Sequence, residues 1–465
     1  MFIYRYNTST LFCQQRQIHI LIEKLSQVIL LNTLKKYPIL TGTLLLSGSG
    51  LFCRGLGFFY RLFISRSFGE EAMGIFQLVS PIIMMAYSLT CAGIQTSISR
   101  FVASAYQKKN NYQCQRYLLA GVFFASLISL IYSALIYGQA EFISLFLLKE
   151  PRCIPLLKII AFSFPISTLH CCLNGYYYGK KEAFLPSFTQ ILEQLVRTGS
   201  VMILYYYLLY FGKQPTIALT CMGMLLGEAF SFMVTLFFYL KNDYIKKQNV
   251  SARPSLLPMI SFSIPLTFNR VMVNILRSLE TISLPQALRL FGYSSSASLS
   301  IYGVFTGMVL SLVLFPSTFT NSAAVLLLPT ISEALTDNNR KKIKATLYKT
   351  FIISLLPGIF FGLLFFLLGQ FLGNLLFQSM LAGMLIQRIA FLCPFLYLHT
   401  TLSSILNGLK KTGHTLFIDI SSLLLRLFFI MKAVPLYGIE GYLIALIVCE
   451  IYCSLLSLYF LRKYF

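Results

Sequence analysis

Charge is scarce in this sequence. Only 11% of the 465 residues are Asp, Glu, Lys or Arg, and 15 acids stand against 38 bases. With 57% of residues hydrophobic and a mean hydropathy of +0.73, a soluble interior could not hide the apolar surface, so a soluble globular protein is excluded. The 11 cysteines are scattered without a CxxC pair, and the adjacent Cys171 and Cys172 cannot form an ordinary bridge, which argues against a disulfide framework or a zinc site. Residues 1–37 lack the basic, apolar and small-residue order of a signal peptide. A Gly-rich loop with a lysine is also missing. His19, His170, His399 and His414 are isolated, and His170 and His399 read as helix-packing residues. With no catalytic constellation and only short outward connections, the chain is not expected to be an enzyme and needs no cofactor.

Long apolar runs are plentiful instead. Blocks of ~20 residues, enough to cross a ~30 Å hydrocarbon core, recur from about residue 40 onwards. Twelve are expected, near 42–65, 74–103, 117–138, 154–178, 184–209, 216–240, 257–290, 299–334, 345–372, 384–408, 414–434 and 438–461. They must be helices, because lipid leaves a backbone no other partner except in a closed barrel. The net charge of +23 is distributed as in a membrane protein and not as in a nucleic-acid binder. Alternate connections hold Lys108 and Lys109; Lys180 and Lys181; Lys246 and Lys247; Lys341 and Lys342; Lys410 and Lys411. That asymmetry places both termini in the cytoplasm. Residues 1–37 read as a basic cytoplasmic or interfacial extension.

The chain also repeats itself. "LFCRGLGFFYRLF" in segment 1 and "TFNRVMVNILRSL" in segment 7 set Arg54 and Arg61 on Arg270 and Arg277 at identical spacing. "LNGYYYGKKEAF" and "LNGLKKTGHTLF" align Asn174 with Asn407 and Phe184 with Phe417, and Glu228 of segment 6 falls opposite Glu450 of segment 12. Three matches in one order imply two parallel six-helix lobes around a central cavity. The expected divisions are an extension at 1–37, an N-lobe at 38–240, a cytoplasmic linker at 241–258 and a C-lobe at 259–465.

Arginine at mid-span costs roughly 2.5–3.5 kcal/mol on an insertion scale, so these side chains must face protein or water. Arg197 with Glu193 and Arg277 with Glu280 have the i,i+4 and i,i+3 spacing of internal ion pairs. Arg54, Arg61 and Arg270 have no acid within a turn, and a free guanidinium suits a phosphate. For Glu228, Glu450 and Asp419, beside Arg426, two readings stand: an ion-coupling or proton site, or inter-helical partners of the arginines. Tyr176–Tyr178 and Tyr205–Tyr207 read as interfacial aromatic belts.

"FCRGLGFFYRLFISRSFGEEAMGIFQLVSPI" followed by "CAGIQTSISRFVASAY" resembles the opening of the stage V sporulation protein B-like flippases and, more distantly, the lipid II flippases. Both belong to the multidrug/oligosaccharidyl-lipid/polysaccharide exporter superfamily. "LNGYYYGKKEAFLPSF" and "SAAVLLLPTISEAL" look like further stretches of the same family, so that the resemblance covers about residues 38–462. It implies a membrane flippase passing a lipid-linked saccharide across the bacterial cytoplasmic membrane by alternating access. The substrate-binding set is then Arg54, Arg61, Arg270, Arg277 and Arg197, with Glu228, Glu450, Asp419, Glu193 and Glu280 as coupling or cavity acids. Coupling would be to the membrane potential, H+ or Na+, and the partners would be the lipid-linked substrate, membrane lipids and proteins of wall or polysaccharide biosynthesis. Where lipid II flippases carry their next arginine this chain has Tyr60, with Arg61 one place and ~100° further round the helix. Many relatives add two helices that form a lipid-tail groove, beyond the twelve expected here. A multidrug antiporter of the same superfamily is the alternative within transport; a polysaccharide polymerase or a wall-synthesis interaction protein is the alternative of another class.

Overall fold

The computed structural model describes residues 38–243, 257–318, 320, 340–409 and 411–462, and among them there are helices and short connections but no strand. The extension at 1–37, most of the linker and the "SAAVLLLPTISEAL" stretch lie outside the described residues. The helices are α1 (Pro38–Tyr87), α2 (Gly93–Gln107), α3 (Asn111–Gly138), α4 (Cys153–Ala161), α5 (Ser163–Gly179), α6 (Phe184–Tyr210) and α7 (Ala218–Phe238) in the first half. The second half holds α8 (Leu257–Phe291), α9 (Ser295–Gly303), α10 (Arg340–Leu372), α11 (Met380–Ile389), α12 (Cys393–Gly408), α13 (Thr412–Lys432) and α14 (Ile439–Leu461).

Nine described helices are long and apolar enough to cross a membrane, or ten when the bent pair α4–α5 counts as one. The first of them runs from Leu45 to Gln107, 63 residues, and takes in the second expected segment and all but the first three residues of the first. Its turning point is Gly69, at φ 83° and ψ 179°, a backbone region in which only glycine is comfortable. Helix α6 is long but stands outside the nine, since Glu193, Gln194 and Arg197 make it less apolar. Asn110, Ser294 and Ser379 start α3, α9 and α11 by accepting the amide protons of Gln113, Ala297 and Ala382 at 2.9, 3.2 and 3.0 Å.

The repeat is visible in the irregularities of the helices. A π-helical turn at Ser88–Ala92 separates α1 from α2, and another at Val304–Val309 follows α9. Further π turns, Ile143–Leu147 and Gly373–Phe377, end the next crossing of each half. The crossing after that is broken in both: α4 and α5 bend by 42°, and a 3₁₀ turn at Ala390–Leu392 divides α11 from α12. The same interruptions in the same order are what a duplicated helical framework retains.

The halves meet along two seams. At the lysine-poor end α1 crosses α9 backbone to backbone: a Cβ on Gly74 would lie 2.1 Å from the Leu299 carbonyl oxygen, and one on Gly303 2.4 Å from that of Glu70. Beside this crossing Arg66 donates to the Leu375 and Leu376 carbonyls, and Ser379 donates to Glu70. The second seam joins α2 to α8, where the Ser97 hydroxyl donates to the Met259 carbonyl at 2.7 Å and Arg100 stacks 4.2 Å over the Phe262 ring.

At the lysine-rich end Lys180 bonds Asp243, and the Tyr177 hydroxyl donates to the same carboxylate at 3.0 Å. Burial pulls the Lys180 ammonium down, and Asp243 with Glu182 outweighs it, holding this lysine above its usual range. Tyr176 and Tyr177 are buried, Tyr176 against Tyr239 at 5.5 Å between ring centroids. They are therefore not members of an interfacial belt, because tight packing of α5 on the end of α7 covers them. Tyr206 and Tyr207 are exposed, as a belt requires.

Candidate functional site

Each half contains a buried polar network, and the two are built alike. In the first half, glycines in α7 let it press on α6: a Cβ on Gly227 would lie 2.8 Å from the Glu193 carbonyl oxygen. That approach brings Glu228 of α7 beside Glu193 of α6 and His170 of α5. His170 Nδ1 lies 3.3 Å from Glu228 Oε2, and Arg197 pairs with Glu193 one turn along α6, as their spacing predicts. His170, Asn174, Glu193 and Glu228 line a cavity of about 200 Å³.

The second half has a cavity of about 410 Å³ walled by Arg277 and Glu280 of α8, His399 of α12, Asp419 and Arg426 of α13, and Tyr442 and Glu450 of α14. His399 Nδ1 lies 2.9 Å from Glu450 Oε2. Arg426 bridges two acids, 3.2 Å from Glu280 and 3.6 Å from Glu450, while the Tyr442 hydroxyl donates to Glu280 at 2.8 Å. A continuous chain His399–Glu450–Arg426–Glu280–Tyr442 thus ties four helices together.

Two expectations are corrected here. Glu280 takes Arg426 as its guanidinium partner and not Arg277: no ion pair joins Arg277 to Glu280 among the described residues, because α13 carries Arg426 directly against α8. His170 and His399 are not merely packing residues, since each faces the glutamate on the last helix of its own half. Sequence reasoning missed them because His170 precedes Asn174 by four residues whereas His399 precedes Asn407 by eight. The two histidines therefore differ in register by one helical turn, which a gap-free repeat does not align. The signal that was present is the matched pair Glu228 and Glu450, buried acids that require partners. The same gap-free alignment sets Glu193 opposite Arg426, so the two networks carry opposite charges at an equivalent position.

The paired arginines behave differently from these networks. Arg54, Arg61, Arg270 and Arg277 are all exposed side chains, and none makes an ion pair or hydrogen bond with another side chain among the described residues. Arg61 is accessible in area yet has protein on most sides, as a side chain in a concave interior space has. Its neighbour Tyr60 is buried, so at this turn of α1 it is Arg61 that faces open space. Arg54, one heptad earlier, shares that face. Arg277 alone of the four lines a cavity described above, and Arg197 is tied to Glu193. The acids are mostly occupied by internal partners, whereas four guanidinium groups have no side-chain partner among the described residues and so suit an anion.

Ligand atoms of His170, Glu193 and Glu228 all lie within 4.8 Å of one another, a spacing that suits a cation, although Arg197 already occupies Glu193.

Comparison with known proteins agrees with this architecture. Residues 39–335 match the family described as polysaccharide biosynthesis protein, and residues 287–431 match MatE. Stage V sporulation protein B of Bacillus subtilis (strain 168) is 27% identical over 429 residues, 90% of this chain and 83% of the relative. A lipid II flippase solved in an inward closed conformation superposes with a TM-score of 0.67 at 17% identity, covering 90% of this chain and 87% of that one. An inward-facing multidrug resistance MATE family transporter gives 0.66 at 13% identity over 89% and 94%. This chain belongs to the polysaccharide biosynthesis protein family, and it has the fold of the transporters on which it superposes, with nine or ten described helices of membrane-crossing length.

Proposed function

We propose that the protein is a flippase for an undecaprenyl-pyrophosphate-linked saccharide, a peptidoglycan precursor or surface polysaccharide unit. The observation that carries this reading is the set of arginines, Arg54 and Arg61 on α1 with Arg270 and Arg277 on α8, exposed, without a side-chain partner among the described residues and repeated at one spacing. A pyrophosphate is the ligand such planar, permanently charged groups bind best. The saccharide head would cross between the lobes while the lipid tail stays in the bilayer, in a bacterial cytoplasmic membrane with both termini in the cytoplasm. Membrane potential, H+ or Na+ would drive the cycle, and proteins of wall or polysaccharide synthesis would supply the substrate. The name of one relative, a lipid II flippase of Bacillus subtilis (strain 168), supports the same substrate class.

A cation antiporter would draw on free carboxylates, yet Glu193, Glu228, Glu280 and Glu450 each have an arginine or histidine partner, which leaves Asp419 as the one cavity acid without an ion pair or hydrogen bond among the described residues. In reconstituted vesicles, labelled lipid-linked saccharide should become accessible at the opposite leaflet with the parent protein and not with Arg54→Ala or Arg270→Ala. Failure of the parent to move it under any imposed potential, H+ or Na+ gradient would rule the reading out.

A further inference from the structure

We propose that each half of the transporter carries one proton-accepting site, His170 with Glu228 in the first and His399 with Glu450 in the second. In each, the carboxylate holds the Nδ1 proton and leaves Nε2 to take up one more from water. This goes beyond the substrate reading and holds whichever anion the arginines bind.

The geometry repeats with different sequence registers. Nδ1 faces a glutamate oxygen at 3.3 Å in one half and 2.9 Å in the other. A carboxylate accepts but cannot donate, so the neutral imidazole carries its proton on Nδ1 and its lone pair on Nε2. Both Nε2 atoms are buried and have no hydrogen-bond partner among the described residues, and His170 is only 4% exposed. Imidazole is the side chain whose ordinary titration falls nearest neutrality.

Charge points the same way. Around His170 stand Glu228 of α7, Glu193 and Arg197 of α6, Tyr87 of α1, Cys91 of the following π turn, and Cys171 and Tyr178 of α5 itself. Arg270 of α8 acts from beyond Tyr87, but it is exposed and water screens it. Two carboxyl groups, Glu193 and Glu228, thus stand against the single enclosed guanidinium of Arg197. His399 faces Glu450 and Tyr442 of α14, Asp419 and Arg426 of α13, Arg277 and Glu280 of α8, and Tyr302 of α9, with Cys453 beyond. There three carboxyl groups face one enclosed guanidinium, Arg426, and Arg277 is exposed and screened by water as Arg270 is. Among the described residues the cluster of His170, Glu193 and Glu228 has no counterpart in the second half, where Arg426 stands opposite Glu193, so the feature common to both halves is the histidine–glutamate pair.

The chain has four histidines, so its 15N-imidazole spectrum in lipid nanodiscs can be assigned with His170→Gln and His399→Gln. At alkaline pH both rings should carry the proton on Nδ1, and acidification to about pH 5 should give the doubly protonated form at both sites. Glu228→Gln should remove that form at His170 and leave it at His399, and Glu450→Gln should do the reverse. A bare Nδ1 at either ring, or a ring still neutral at about pH 5, would overturn the proposal. The assay uses no substrate, so its failure is separable from failure of the flippase reading.

Discussion

Arg54 and Arg426 are both arginines in apolar helices, and their surroundings assign them different work. Arg426 is nearly enclosed, with 17% of its side chain exposed, and lies between Glu280 and Glu450. Removing it takes the guanidinium from two buried carboxylates and leaves them only His399 and Tyr442, and loss of one partner of a buried pair costs about 3–5 kcal/mol. Arg426→Ala should therefore lower the thermal unfolding midpoint markedly in detergent. Arg54 is exposed and holds no partner among the described residues, so Arg54→Ala should unfold close to the parent while losing translocation. If both variants lost stability equally, the division between structural and substrate arginines would be wrong. Arg54 and Arg61 were legible in the sequence because an unpaired charge in an apolar run is conspicuous and because α8 repeats it. The histidines were not, since one turn of register separates His170 from the position equivalent to His399, and only folding shows which face each presents.

At the scale of elements, the α1–α9 crossing closes the lysine-poor end because glycine leaves the backbones bare. A side chain at Gly74 would run into Leu299, with overpacking of this kind costing about 1–3 kcal/mol. Gly74→Val should consequently disfavour the closed arrangement, raising labelling of a cysteine at Thr306 from that side severalfold and slowing transport. Gly50→Ala is the control, since nothing lies within 4 Å of a Cβ there and the change only improves helix propensity, by about 1 kcal/mol. Equal behaviour of the two variants would mean that the crossing does not gate access. The helices themselves were readable from apolar length. The reading of Tyr176 and Tyr177 as interfacial failed because an aromatic at a helix end looks alike in sequence whether lipid or a neighbouring helix covers it.

For the whole molecule, alternating access requires the contacts between halves to part. The bond from Ser379 to Glu70 crosses from one half to the other beside the Gly74 crossing. A disulfide between Glu70→Cys and Ser379→Cys should halt translocation, and a reductant should restore it. The ten described native cysteines are all buried, which limits competing bridges. Undiminished transport by the cross-linked protein would show that this end never opens during the cycle.

The sequence by itself determined that the chain is a bundle of membrane helices, that it is built twice, and that arginines recur at one spacing. These follow from composition, apolar run length and local matches, which need no knowledge of what touches what. Only the tertiary structure decided that Glu280 belongs to Arg426, that Tyr60 is buried while Arg61 is open, and that each half pairs a histidine with its last glutamate. Such choices depend on which helix faces are pressed together, and residues far apart in the chain, like His399 and Glu450, acquire a common chemistry only when packing brings them within hydrogen-bond distance.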